Sequence, residues 1–527
     1  MSTKLGTSAH RFRLSAATLA LSLTITLGNL PAHAAPTLAC GYINESSFTA
    51  PPEKPWQVLA TEPVVDAAGM PLRAFAGYMV DNAILQNGNT TYIGYFNQDG
   101  LITVASKTGN GAWQAQTLDE NLTYDSHAKI TLALDKNGNL HVAALTAAGN
   151  DRGLRYWLTG KAGDISTLAR SRMIPTFGER PGGVLIAYED IASYPEFYTG
   201  PDGRLYFRFQ AGWVGGAYTA VFQFNPTSRS WELSDPATGL AGLAIVFNGW
   251  SGTPARNAYP SPPVKGPDGK YHMYWTWRSS GSADTGSELH YAVSSDLKVW
   301  KNARGESVID AWWWGDGNPN TQFYPGQKST MVDNVPEGGG LLNGDAIGIG
   351  FDADGKPVIT YAKYAESGST QTTQLFMARP NPVQTGNIWN TQQVTSWTGT
   401  RNLAANEFGA NILTANAGVK VEGNYLTTEY ICMSQAHKLY LEPKTGRIVA
   451  DIPVPPAAKL PDAVFASTFA PGYKITTRTF FEKSATPTSA MLLRWDGGPY
   501  IHDGDLITNV GPYPIEGSPL TVFRIMR

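Results

Sequence analysis

Gly266-Pro-Asp-Gly-Lys-Tyr-His-Met-Tyr-Trp-Thr-Trp-Arg278 decides how this chain is read. Asp268-Gly269 supplies the positive φ of a tight turn, and the aromatic, alternating run after it is a strand pattern. The same unit recurs as Asn97-Gln-Asp-Gly100 before Leu101-Ile-Thr-Val104, and as Asp135-Lys-Asn-Gly138 before Leu140-His-Val-Ala143. It returns as Gly200-Pro-Asp-Gly203 before Leu205-Tyr-Phe-Arg-Phe209, and as Asp352-Ala-Asp-Gly355 before Pro357-Val-Ile-Thr-Tyr361. Gly138, Gly203 and Gly269 are 65 and 66 residues apart, a period suited to four strands with long connections. The pattern predicts an all-β, seven-bladed β-propeller. A two-sheet sandwich would explain the strands but not their spacing.

The N-terminus falls outside this pattern. Lys4, Arg11 and Arg13 precede an apolar run from Leu14 to Leu27, and Ala32-His33-Ala34 follows. This is the layout of a secretory signal peptide, too short for a membrane span. Residues 1–34 are therefore expected to be the signal, and 35–527 one propeller domain, secreted or periplasmic. About 70 residues per blade result if the mature part is divided by seven. The chain holds two cysteines, Cys40 and Cys432. Ring closure would allow a disulfide between them in an oxidising compartment. Two unpaired thiols are the other reading.

Composition narrows the partners. Forty basic against 43 acidic residues leave a net charge of −3, so no basic balance exists for a nucleic-acid backbone. No later segment is apolar enough to span a bilayer. The 15 Trp and 24 Tyr suit stacking on the apolar faces of sugars, although propeller blades also pack many aromatics. Trp213, Trp250, Trp275, Trp277 and the run Trp312-Trp313-Trp314 are the candidate contacts. No metal motif is present and no cofactor is expected. The channel of a propeller leaves room for a structural cation.

Ser294-Ser-Asp-Leu-Lys-Val-Trp300 resembles a shortened Asp-box, a structural turn of sialidase-like propellers. Longer segments resemble the BNR-repeat propeller family of ulvan lyases and rhamnosyl-glucuronate lyases and hydrolases. They are Tyr124-Asp-Ser-His127 through Val142, Ser193-Tyr-Pro-Glu-Phe197 through Leu205, and Asn257-Ala-Tyr259 through Arg278. Ile349-Gly-Phe-Asp352 and Leu493-Arg-Trp495 are similar to its later blades.

The resemblance implies a β-elimination, in which the proton at C5 of a uronate is removed and the sugar at O4 expelled. Such a reaction needs a base, an acid and a partner for the carboxylate. By resemblance His127 and Tyr194 take the proton roles, and Gln210, Tyr259 and Arg278 bind substrate. Two positions depart from the family pattern: a second His falls on Ala147, and an Arg falls on Gln210. The His that related hydrolases would use on the opposite face falls on Tyr78. Arg208, Arg256 and Lys363 are further cations, and His141 and His272 read as packed strand residues. The leading reading is a polysaccharide lyase acting on a rhamnose–glucuronate linkage. The alternatives are a glycoside hydrolase of the same family, which would need another acid such as a carboxylate pair, or an inactive glycan-binding relative.

Overall fold

The computed structural model describes residues 45–51, 54–77, 80–121, 128–145, 154–171, 192–213, 215–232, 245–309, 322–365, 372–381, 388–398, 413–414, 418–432, 435–454, 460–469, 476–481, 488–498 and 514–527. Their strands form seven antiparallel sheets of four or more strands and one two-stranded pair. Sheet 1 runs Ala83–Asn87, Thr90–Phe96, Leu101–Thr108, Gln114–Asn121. Sheet 2 runs Lys129–Leu134, Leu140–Leu145, Leu154–Thr159, Leu168–Arg170. Sheet 3 opens on Ala192–Thr199 and sheet 4 on Asn257–Pro260; sheets 5, 6 and 7 open on Ile347–Phe351, Leu413–Thr414 and Thr476–Phe481. Along its main path each sheet adds strands in chain order, with short extra strands such as Ile245–Asn248 returning to an inner one. The exception is sheet 7, whose outermost strand is the N-terminal Gln57–Pro63, paired with the C-terminal Thr521–Met526. That exchange joins the two ends of the chain and removes a sheet edge.

The core lies between sheets, not inside a sandwich. Tyr92, Ile102 and Val104 of sheet 1 pack on Ile130, Leu132 and Val142 of sheet 2. Tyr156 and Leu158 then face Phe197, Phe207 and Phe222 of sheet 3. Strand Tyr271–Arg278 shows how period-two alternation serves two interfaces. Met273, Trp275 and Trp277 turn toward Tyr206, Val221 and Phe247 of sheet 3, while Tyr274 turns toward Ile347 and Tyr361 of sheet 5. Sheet 5 packs on sheet 6 through Leu375, Met377 and Leu439, and sheet 7 returns to sheet 1 through Leu493, Trp495 and Ile93. Sheets that each pack on the next are a propeller arrangement.

The repeated turns form as their sequence requires. Gly100, Gly138, Gly203, Gly269 and Gly355 all have φ between 73° and 79°. An Asp or Asn in each turn accepts backbone N–H groups: Asp135 Oδ1 takes those of Asn137 at 2.8 Å and Asn139 at 2.9 Å, and in the two turns that open on Gly200 and Gly266 the acceptors are Asp202 and Asp268. In the Asp-box, Asp296 Oδ1 accepts from Lys298 N (2.8 Å) and Val299 N (2.9 Å), and Trp300 is buried. His141 and His272 serve the packing. Each ring nitrogen Nδ1 meets a tyrosine hydroxyl of the next strand, Tyr156 at 2.8 Å and Tyr291 at 2.6 Å. Burial pushes both imidazoles below their ordinary pKa despite nearby Asp135 and Asp268.

Candidate functional site

A cleft of about 550 Å³ opens where the first strands of four consecutive sheets approach each other. Lys129 comes from sheet 2, Tyr194 and Glu196 from sheet 3, Tyr259 and Ser261 from sheet 4, and Asn343 and Ile349 from the entry to sheet 5. Arg208, Gln210 and Thr219, from the second and third strands of sheet 3, complete one wall.

Tyr194 is placed by a bulge. Ser193 pairs with Gln210, but the register shifts before Glu196 pairs with Arg208. Within it Tyr194 takes φ +53°, the left-handed region that a tyrosine enters only at a cost of roughly 1–2 kcal/mol. Pro195 disfavours a helical continuation at that point. The irregularity re-aims the ring, which is 43% exposed at the cleft and 6.1 Å, edge-on, from Tyr259.

Tyr259 sits between Tyr194 and Arg278. The guanidinium lies 5.9 Å from its ring centroid. Burial raises the Tyr259 phenol above its ordinary pKa, and Arg278 only partly opposes this, so the phenol is a hydrogen-bond donor at neutral pH. Arg278 itself holds its own loop: Nε donates to the Ser282 carbonyl at 3.0 Å and Nη2 to that of Gly281. It therefore acts behind Tyr259, and the lining residues do not include it.

Gln210 lines the cleft yet its amide is engaged. Nε2 donates to the Ala258 carbonyl at 2.8 Å, and Oε1 receives Asn257 Nδ2 at 3.4 Å and Ser193 Oγ at 3.5 Å. It clamps sheet 3 to sheet 4. Gln210 thus meets the cleft with its amide already joined to sheet 4, and Arg278 keeps two of its donors on carbonyls of its own loop.

The cations that border the cleft are Arg208 and Lys129. Arg208 Nη2 pairs with Glu196 Oε2 at 2.5 Å, and Nη1 donates to Pro260 O (3.0 Å) and Ser261 O (2.8 Å). Glu196 is the one carboxylate among the described residues that line the cleft. Lys129 and Glu196 carried no signal in the sequence; the bulge alone brings Glu196 opposite Arg208. The other proposed cations stand elsewhere. Arg256 pairs with Glu288 at 2.5 Å and Glu337 at 3.5 Å, and buried Lys363 pairs with Asp333 at 2.7 Å. His127, Ala147, Tyr78 and the Trp312–Trp314 run lie outside the described residues. Trp275 and Trp277 are core residues, whereas Trp250 is 51% exposed.

Residues 90–397 match the model of a family described as BNR repeat-containing. The chain belongs to that family. Among solved structures, polysaccharide lyase Uly1 superposes with a TM-score of 0.54 at 11% identity, covering 89% of this chain and 99% of that one. A PL25 ulvan lyase gives 0.47 at 14% identity over 88% and 94% of the two chains. An endo-1,5-α-L-arabinanase from Thermotoga petrophila RKU-1 gives 0.30 at 11% identity over 87% and 100%. No curated protein matches significantly. At these identities the likeness concerns the fold, so this member's activity has to be argued from its own cleft. No described helix is long and apolar enough to cross a membrane.

Proposed function

We propose that this BNR-family chain is an exported, seven-bladed carbohydrate-active propeller, each of the seven sheets being one blade, that cleaves a uronate-containing polysaccharide by β-elimination. Residues 1–34 are the export signal and 35–527 the catalytic domain. Tyr194 and His127 share the proton transfers: one takes the C5 proton, and the other protonates the departing O4. Lys129 faces the substrate carboxylate and stabilises the charge that develops on it, while Arg208, held by Glu196, Pro260 O and Ser261 O, fixes the cleft wall beside it. Tyr259, kept protonated by burial, donates to the sugar and orients Tyr194. The products are a 4,5-unsaturated uronate and a new reducing end.

The observation that carries this reading is Tyr194. A large aromatic held in a strained left-handed conformation, exposed at a cleft bordered by two cations, marks a functional position. A carboxylate pair, the usual equipment for glycoside hydrolysis, has one described member here, Glu196, and Arg208 neutralises it. A glycan-binding relative is the second reading, favoured by the engagement of Gln210 and Arg278 within the protein. Incubation with glucuronate polysaccharides separates them. New ultraviolet absorbance from an unsaturated uronate supports the lyase. Reducing ends without that absorbance would indicate hydrolysis, and binding without either would indicate the lectin-like reading.

A further inference from the structure

Among the described residues, the aromatic side chains that are both large and strongly exposed are Tyr194, Trp250 and Phe465. Tyr194 lines the cleft, and Trp250 stands on the connection between sheets 3 and 4, which supply much of its wall. Trp250 lies on the short turn Gly249–Ser251, which links the last strand of sheet 3, Ile245–Asn248, to the first strand of sheet 4. That turn is rigid. Asn248 Oδ1 accepts the Trp250 N–H at 3.1 Å, Asn248 Nδ2 donates to Gln322 Oε1 at 3.0 Å, and Arg256 N donates to Gly249 O at 2.9 Å. Gly249 is required, since a Cβ there would fall 1.6 Å from the Arg256 carbonyl.

The indole lies down on a second glycine. A Cβ on Gly216 would come within 2.9 Å of two indole carbons, so only glycine lets the ring rest on this hairpin, 6.4 Å from the Tyr218 ring. The hairpin is tied to the cleft through one residue. Gly216 N donates to Asn257 Oδ1 at 2.8 Å, while Asn257 Nδ2 reaches Gln210 Oε1, a cleft wall group. Tyr259 is two residues further along the same strand, roughly 7 Å. An apolar plate so fixed and so exposed loses almost no entropy when a flat partner settles on it.

We propose that Trp250 and Tyr218 form a stacking subsite for an uncharged sugar residue of the glycan whose uronate occupies the cleft; this rests on the carbohydrate reading above. Pyranose rings present an apolar C–H face that suits an indole. The sugar is uncharged because Arg256, whose backbone meets the platform, already commits its guanidinium to Glu288 and Glu337 and does not hold a second carboxylate. The platform thus serves longer chains and leaves the reacting residue untouched.

The test uses the mature protein with ulvan oligosaccharides of two and eight residues, read by calorimetry and by product formation. Trp250→Ala should weaken octasaccharide binding about tenfold, leave the disaccharide unchanged and raise KM for the polymer without lowering kcat. Gly216→Ala, which lifts the ring and keeps it, should act in the same direction. Equal octasaccharide affinity in wild type and Trp250→Ala, or no octasaccharide binding by the wild type, overturns the proposal. Failure of the lyase reading is separable, because calorimetry registers the platform whether or not an unsaturated product appears.

Discussion

Replacing Tyr194 by alanine and by glycine weighs the strain that the bulge imposes. Both substitutions remove the same ring contacts, so their difference isolates the backbone. At an ordinary strand position glycine is the worse residue by roughly 0.5–1 kcal/mol, through the greater freedom of its unfolded chain. Tyr194 has φ +53°, where a Cβ meets the following carbonyl at a cost of roughly 1–2 kcal/mol that glycine escapes. The two terms oppose one another and the strain is the larger. Tyr194→Gly should therefore be more stable than Tyr194→Ala by about 0.5–1 kcal/mol, an inversion of the usual order. Relative to wild type, loss of a ring already 43% exposed costs about 1–1.5 kcal/mol, so the glycine variant should lie within about 1 kcal/mol of the parent. Urea unfolding of the three proteins measures this. A glycine variant less stable than the alanine variant would refute the claim that Tyr194 is held under strain.

Three further outcomes follow from the geometry. Burial opposes ionisation of Glu288, but His290, the Gly326 N–H and Arg256 outweigh it and bring its carboxyl to about 2. A carboxyl depressed in the folded state adds stability that is full above the ordinary value near 4.5 and is lost as pH falls toward 2. Glu288→Gln should accordingly cost about 3 kcal/mol in urea unfolding at pH 7 and less as the pH is lowered from 5 to 3; a gap that does not narrow contradicts the network. Arg208→Lys keeps the charge but not the planar fork on Pro260 O, Ser261 O and Glu196, so KM for a uronate polymer should rise about tenfold, and an unchanged KM removes Arg208 from the site. The Glu45 N–H donates to Val449 O, which sets the chain after Cys40 on sheet 6, the sheet that carries Cys432, as a disulfide between the two requires. Alkylation of both cysteines only after reduction is the outcome expected, and alkylation without reductant excludes the disulfide.

The parts of the fold that were legible in the sequence are those whose cause is local. A turn that needs positive φ carries Gly100, Gly138 or Gly269, and an Asp or Asn of the same turn, Asn97, Asp135 or Asp268, accepts its N–H groups. Their spacing then implies repeated sheets. Tyr194, Gln210 and Tyr259 were recognisable through family resemblance, and they do line one cleft. What each of them does there was not legible. The engagement of Gln210 depends on the Ala258 carbonyl of the neighbouring sheet, 48 residues away. The Glu196–Arg208 pair exists only because a bulge shifts the register by which those side chains meet. Arg278 turns back on carbonyls of its own loop, a choice that depends on how that loop folds. Non-local pairing and irregular backbone, rather than residue type, decide which groups at this cleft remain for a substrate.

Mass spectrometry of the fragments released from a rhamnose–glucuronate polysaccharide tests the central claim most directly. Elimination leaves the uronate-ended fragment lighter by one water than hydrolysis would, because the C4–C5 double bond replaces the hydroxyl and proton that water would supply. The cleft of Tyr194, Arg208 and Lys129 predicts fragments of the dehydrated mass from the wild-type protein, with formation slowed about 10²–10⁴-fold in Tyr194→Phe, which loses only the phenolic hydroxyl. Fragments of the fully hydrated mass, or dehydrated fragments formed equally fast by Tyr194→Phe, would contradict it.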